Sequence, residues 1–168
     1  VGGVDMDFFG SRGGLHGRKA QLWEGGIRVP TVVWWPEHIQ PNSVNQTPSA
    51  FWDWYPTLLA VAGQEVKETD GVNLLPNLTH QSEIPKRGLY WEFGKSQAFR
   101  LGDWKLLQFK TEEGIDTHLY QLDTDESESV NVAETFLEQT ALMKKLSIEA
   151  RTKSSEFQSF LDKYHMQE

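Results

Sequence analysis

Four short runs between residues 89 and 122 limit the possible folds of this chain more than any other stretch. Leu89–Phe93, Ala98–Leu101, Trp104–Phe109 and His118–Leu122 are brief, rich in aromatic and aliphatic residues, and separated by turn residues, the pattern of strands in an antiparallel sheet. Gly102–Asp103 has the length and glycine-first order of a two-residue hairpin, which makes the second and third runs antiparallel neighbours. Beyond them, Phe136–Tyr164 shows helical spacing at Leu142, Leu146 and Ala150 and again at Phe157, Phe160, Leu161 and Tyr164, with a break at Thr152–Ser155. The expected fold is α+β: a C-terminal four-stranded antiparallel sheet packed by a long C-terminal helix.

Upstream, Thr31–Trp35 is a continuous β-branched and aromatic run closed by Pro36, read as a strand buried on both faces. Ser49–Gly63 reads as a helix, its apolar face at Phe51, Trp54, Tyr55, Leu58, Leu59 and Ala62 and its stop at Gly63. Pro56 removes a backbone donor, so the helix either begins near Tyr55 or kinks there. Residues 1–18 read as loop; their glycine-rich start lacks an initiating Met and looks like the interior of something longer.

Charge excludes one class of partner. With 24 acidic against 16 basic residues the formal net charge is −8, and no basic stripe interrupts it, which argues against nucleic acid. The absence of cysteine removes disulfides and thiolate metal sites. No apolar run approaches membrane-spanning length, and the N-terminus lacks the regions of a signal peptide.

The chemistry points to Lys19–Pro30, KAQLWEGGIRVP. A lone lysine precedes a Trp-Glu pair and a double glycine, which permits positive φ and close backbone approach, and Arg-Val-Pro leads out. Such an elbow aims a cation into a cleft. Arg12, Arg18 and Arg28 add to a local positive site for an anion. Other candidates are thin. Asp5 and Asp7 are too few for a hard cation, and the histidines at 16, 38, 80, 118 and 165 have no metal spacing. Ser11 lies near His16 without completing a catalytic set, and no nucleophile elbow, phosphate loop or dinucleotide fingerprint occurs. Asn45-Gln-Thr47 and Asn77-Leu-Thr79 are N-glycosylation acceptor triplets of low specificity.

Lys19–Pro30 resembles the sulfatase segment that runs Lys, three residues, an aromatic, Glu-Gly-Gly, any residue, Arg-Val-Pro. Colinear blocks follow: Trp35-Pro36, Asp53-Trp-Tyr-Pro-Thr-Leu-Leu59, Asp70-Gly-Val-Asn-Leu-Leu-Pro76, Tyr90-Trp-Glu92, Arg100-Leu-Gly-Asp-Trp-Lys-Leu106 and Leu119–Glu128. The resemblance is to the arylsulfatase type, within the alkaline-phosphatase superfamily, and to its C-terminal portion. It implies that residues 1–80 end the large α/β domain and 81–168 form the small C-terminal domain. It also implies a parent enzyme that hydrolyses a sulfate monoester, a sulfated carbohydrate among the candidates. Lys19 takes the place of the family lysine that contacts sulfate, and His16 stands where relatives often carry arginine. Glu92 and Lys95, in the small sheet, are candidate substrate contacts.

The family's formylglycine motif, Cys/Ser-x-Pro-x-Arg, and its Asp-Asn metal pair are absent from this sequence. Calcium or magnesium is thus expected in the full-length parent and none on these residues, and this portion alone is expected to be inactive. The expected partners are a sulfated small molecule or glycan and the N-terminal remainder of the sulfatase domain. The compartment cannot be read; resemblance implies a periplasmic, secreted or lysosomal one. Two alternatives stand: a phosphate or phosphonate ester hydrolase of the same superfamily, and a non-catalytic binding or structural module.

Overall fold

The structure, a computed structural model, describes residues 10, 12–156 and 159. In chain order its elements are α1 (Glu24–Ile27), α2 (Trp54–Val61), α3 (Leu75–His80), β1 (Gly88–Phe93), β2 (Ser96–Leu101), β3 (Trp104–Lys110), β4 (Ile115–Gln121) and α4 (Leu137–Ala150). The four strands form one antiparallel sheet in the order β1-β2-β3-β4, the simplest topology tight hairpins allow. At the β2–β3 turn Gly102 has φ 60°, as the first position of a glycine-first hairpin turn requires, and the Gly94–Lys95 turn repeats the device at φ 60°.

The pleat sends alternate residues to two faces, and both are covered. Ala98, Leu107 and Tyr120 pack with Leu22 and Leu122 on one face. Phe99, Leu106 and Leu119 pack with Ala133 and Met143 of α4 on the other. The adjacent pair Leu106 and Leu107 is wholly buried, one on each face, so β3 reads as apolar without clean alternation. Helix α4 does bury one side, but the expected stripe meets it only at Leu146, which packs against the core, while Ala150 is exposed. Thr140, Met143 and Ser147 face inward while Leu142 is 45% exposed. Small Thr140 and Ser147 let the helix approach closely around Met143, a pattern that hydrophobic spacing alone misses. The helix stops at Ala150, with Arg151 extended, before the break expected at 152–155; Phe157, Phe160, Leu161 and Tyr164 lie outside the described residues.

The chain divides into two compact units, one joining the residues up to Val29 with those from Arg87, the other spanning Pro30–Lys86. The physical reason is that Leu22, Trp23 and Ile27 pack on the first face of the sheet, drawing the segment before Pro30 to it.

Within Pro30–Lys86 two expectations change. Thr31–Trp35 is not a strand, and Val32 and Trp34 are 91% and 84% exposed. β-propensity acts through partner strands, and no described strand pairs with this run. The helix is present as α2, preceded by a 3₁₀ turn at Phe51–Asp53 and with Pro56 in its first turn, where a missing N–H is harmless. Its buried residues are Pro56 and Thr57, however, and Phe51, Tyr55 and Leu58 are exposed.

This unit is held by hydrogen bonds. Fully buried Asp53 accepts from Ala50 N–H at 2.7 Å and Val72 N–H at 3.0 Å, and the Thr57 hydroxyl accepts from Leu74 N–H at 2.8 Å. The blocks 53–59 and 70–76 are thereby stitched together. The two glycosylation triplets are also part of the scaffold: Asn45 Nδ2 donates to Asn77 Oδ1 at 2.6 Å, and buried Asn77 donates to Ser82 O at 2.7 Å.

Candidate functional site

Lys19 sits at the corner of a turn. Gln21 N–H donates to Arg18 O at 3.0 Å, closing residues 18–21, and Arg18 N–H donates to the Gln21 side chain at 3.0 Å. Ala20, after Lys19, has φ 67°, where a type II turn prefers glycine. A Cβ there costs about 1–2 kcal/mol, so the surroundings must hold the turn in shape. Lys19 is exposed.

Beneath the turn, the Glu-Gly-Gly stretch is the single helical turn α1. Its glycines serve close approach alone, since neither Gly25 nor Gly26 has positive φ. A Cβ on Gly25 would fall 2.6 Å from His16 O, and the Gly25 N–H donates to that carbonyl at 2.7 Å. Exposed His16 stacks on Trp23, ring centroids 4.0 Å apart and 13° from parallel. Trp23 in turn lies among Phe109, His118 and Tyr120 of the sheet, at 5.6, 5.8 and 5.5 Å.

The elbow is fastened by buried charge. Glu24, 3% exposed, receives the Lys105 ammonium on Oε1 at 2.8 Å and lies 3.6 Å from Arg100 Nη1 through Oε2. Lys105, wholly buried on β3, also pairs with Glu128 Oε1 at 2.8 Å. Glu128 Oε2 accepts the Glu24 backbone N–H at 2.6 Å, and the Glu128 carbonyl accepts from His16 Nδ1 at 3.2 Å. Burial pushes the Glu128 carboxyl above the usual carboxylate range, against the opposing pull of Lys105. Arg28, at the exit, pairs with Glu126 of the same acidic loop.

His16 and Lys19 lie three residues apart on one segment, and Glu92 lies on the other face of the sheet from the one that Trp23 packs against. Glu92 shares the α4 face of the sheet with Tyr90 and accepts from the Tyr90 hydroxyl and Arg151 Nε, each at 2.9 Å. Burial would raise its carboxyl, but hydrogen bonds from Ser159, Arg151 and Tyr90 outweigh it and hold it below its usual value. Lys95 is exposed at the β1–β2 turn, its carbonyl accepting Lys110 N–H at 2.9 Å. Lys105, Arg100 and Glu128 escaped sequence reasoning as site residues. The available signal was Lys105 itself, a cation two residues from Leu107 and therefore on the same covered face.

Among the described residues no group of three or more His, Asp or Glu is arranged to hold a metal ion. Glu24 and Glu128 have a lysine between them and do not fit a divalent cation. Asp5, Asp7, Ser11 and His165 lie outside the described residues. Nor is any described helix long and apolar enough to cross a membrane.

Comparison with known proteins agrees with this architecture. The sulfatase family model matches residues 6–64. A sulfatase of Formosa agariphila is 30% identical over 154 residues, covering 81% of this chain and 28% of the relative. Steryl-sulfatase of Mus musculus is 40% identical over 72 residues, 41% of this chain and 12% of the relative. The crystal structure of Ps i-CgsB in complex with k-i-k-neocarrahexaose matches with a TM-score of 0.64 at 26% identity, covering 86% of this chain and 34% of that one. The chain belongs to the sulfatase family, and it spans 28% and 12% of the lengths of these two relatives.

Proposed function

We propose that these residues are the C-terminal portion of a sulfuric ester hydrolase and that Lys19 contacts the sulfate group undergoing hydrolysis. The observation that carries the reading is the presentation of Lys19: an exposed ammonium at the corner of a turn held by Ala20 in a strained conformation, within the stretch matched by the sulfatase family model. Cleavage of a sulfate monoester places negative charge on the departing oxygen. A preplaced ammonium offsets that charge with little reorganisation, so its effect appears in the transition state. His16, three residues earlier and stacked on Trp23, flanks the same anion. Its Nδ1 is tied to a carbonyl and must donate, so Nε2 can donate to a sulfate oxygen only when the ring carries both protons. Nucleophile and divalent cation, calcium or magnesium, are assigned to the rest of the parent enzyme.

A sulfated carbohydrate is the favoured substrate class. The reading is supported by the match of 86% of this chain to the Ps i-CgsB structure in complex with k-i-k-neocarrahexaose. Glu92 is assigned to the scaffold of the α4 face, and Lys95 remains a candidate contact at the sheet rim.

The test is sulfate release by the full-length protein from an aryl sulfate, a sulfated oligosaccharide and a steryl sulfate, with the matching phosphate ester alongside. Sulfate release with preference for the sugar is expected, and no turnover by residues 1–168 alone. Lys19→Ala should lower kcat/KM by roughly 10-fold or more, equivalent to ~1.4 kcal/mol of transition-state stabilisation. Unchanged kinetics would remove Lys19 from the site, and faster phosphate hydrolysis would overturn the sulfatase reading.

A further inference from the structure

The buried charges around Glu24 are an odd choice if stability were their purpose. An apolar core of Leu22, Ala98, Leu107, Tyr120 and Leu122 occupies the same face of the sheet. Replacing a buried ion cluster by apolar residues is commonly neutral or stabilising. What the charges supply here is direction. Glu24 and His16 bracket the turn that carries Lys19, and both are fastened to one residue, Glu128: Glu24 through its backbone N–H, His16 through Nδ1. The Gly25 N–H closes the bracket onto His16 O.

Lys105 then ties Glu128 and Glu24 to the middle of β3, and Arg100 supports Glu24 from β2. Glu128 itself has φ 54°, a conformation a non-glycine residue keeps only where its surroundings over-determine it. Strain thus sits at both ends of the assembly, at Ala20 beside Lys19 and at the residue that anchors the bracket.

We infer that Glu24, Lys105, Glu128 and Arg100 are positioning residues for Lys19: the network fixes the base of the 16–24 loop to the sheet and thereby the place of the ammonium. The inference deepens the sulfate-contact reading and rests on it for its functional meaning, while its structural half stands alone.

The experiment is a double-mutant cycle in the full-length protein. Glu128→Gln, nearly isosteric, should lower kcat/KM about 10-fold when Lys19 is present and less than about 2-fold in the Lys19→Ala background, because the network acts through the lysine. Equal losses in both backgrounds would mean a general structural role and overturn the inference. If Glu128→Gln fails to fold, Arg100→Gln, at the rim of the network, takes its place in the cycle, with about a 3-fold loss expected.

Amide hydrogen exchange gives an independent reading. Gly25 and Arg28 should exchange about 10-fold faster in the variant while Leu106 and Leu119 hold their protection. Unchanged exchange at Gly25 overturns the anchoring whatever Lys19 contacts. If Lys19→Ala proves kinetically neutral, the sulfate-contact reading falls, and exchange alone decides whether the network anchors the loop.

Discussion

Each of the two units buries carboxylate, and they neutralise it differently. In Pro30–Lys86, Asp53 is met by the backbone amides of Ala50 and Val72. In the sheet unit, Glu24 and Glu128 are met chiefly by the side chains of Lys105 and Arg100. Backbone donors are stiff, local and independent of residue type, so Asp53 makes a static clamp between two loop segments. Cationic side chains reach further, and they let three distant stretches of chain converge on a single point. The first arrangement fixes a scaffold; the second can aim a loop.

The comparison breaks first at Lys105. Lys105→Met removes the cation shared by two buried carboxylates, leaving Glu24 with Arg100 alone, and should destabilise by about 3–5 kcal/mol, read from urea unfolding followed by tryptophan fluorescence. Asp53→Ala orphans two amides that carry no net charge, and a loss of about 1–3 kcal/mol per amide is the upper range expected, with partial recovery through water. If Asp53→Ala proved the more damaging, side-chain pairing would not be the dominant constraint in the sheet unit.

Acid sharpens the contrast. The Glu92 carboxyl is held below its ordinary value in the folded chain, so its stabilisation is present above the unfolded value near 4.3 and is lost as pH falls through the lower folded value. Glu128 is displaced upward, so its contribution has the opposite sign: full below the unfolded value and lost as pH rises through the folded one. Melting temperatures of the wild type and Glu92→Gln between pH 3 and 6 should therefore converge at the acid end and separate above it; parallel curves would refute the assignment. The smallest effect is expected at Ala20. Ala20→Gly relieves the left-handed strain at the expense of chain entropy, for a net gain of about 0.5 kcal/mol by thermal melts.

The sheet was legible because tight turns announce themselves: Gly102–Asp103 marks a hairpin, and short aromatic runs flank it. Family and elbow were legible because KAQLWEGGIRVP and its successors are colinear and specific. Thr31–Trp35 misled because a β-rich composition states a preference that only a partner strand can realise. The inward face of α4 misled because Thr140 and Ser147 are buried for their size and not their hydrophobicity. The charge network was invisible for a different reason. Glu24 lies 81 positions from Lys105 and 104 from Glu128, and nothing local to any of them reports the other two.

The Asp53 clamp has a consequence for how such chains drift over generations. Two of its partners are main-chain amides, which any residue but proline supplies, so those two bonds depend on no side chain at 50 or 72; what they require is Asp53 itself and Gly71, where a Cβ would fall 2.2 Å from Trp52 O. The elbow network has no such freedom. A lineage that alters Lys105 strands Glu24 and Glu128 at once, so its members must be exchanged together through unstable intermediates or kept. That ratchet confines variation around Lys19 to the exposed residues of the loop, where side chains can turn over while the base beneath them stays as it is.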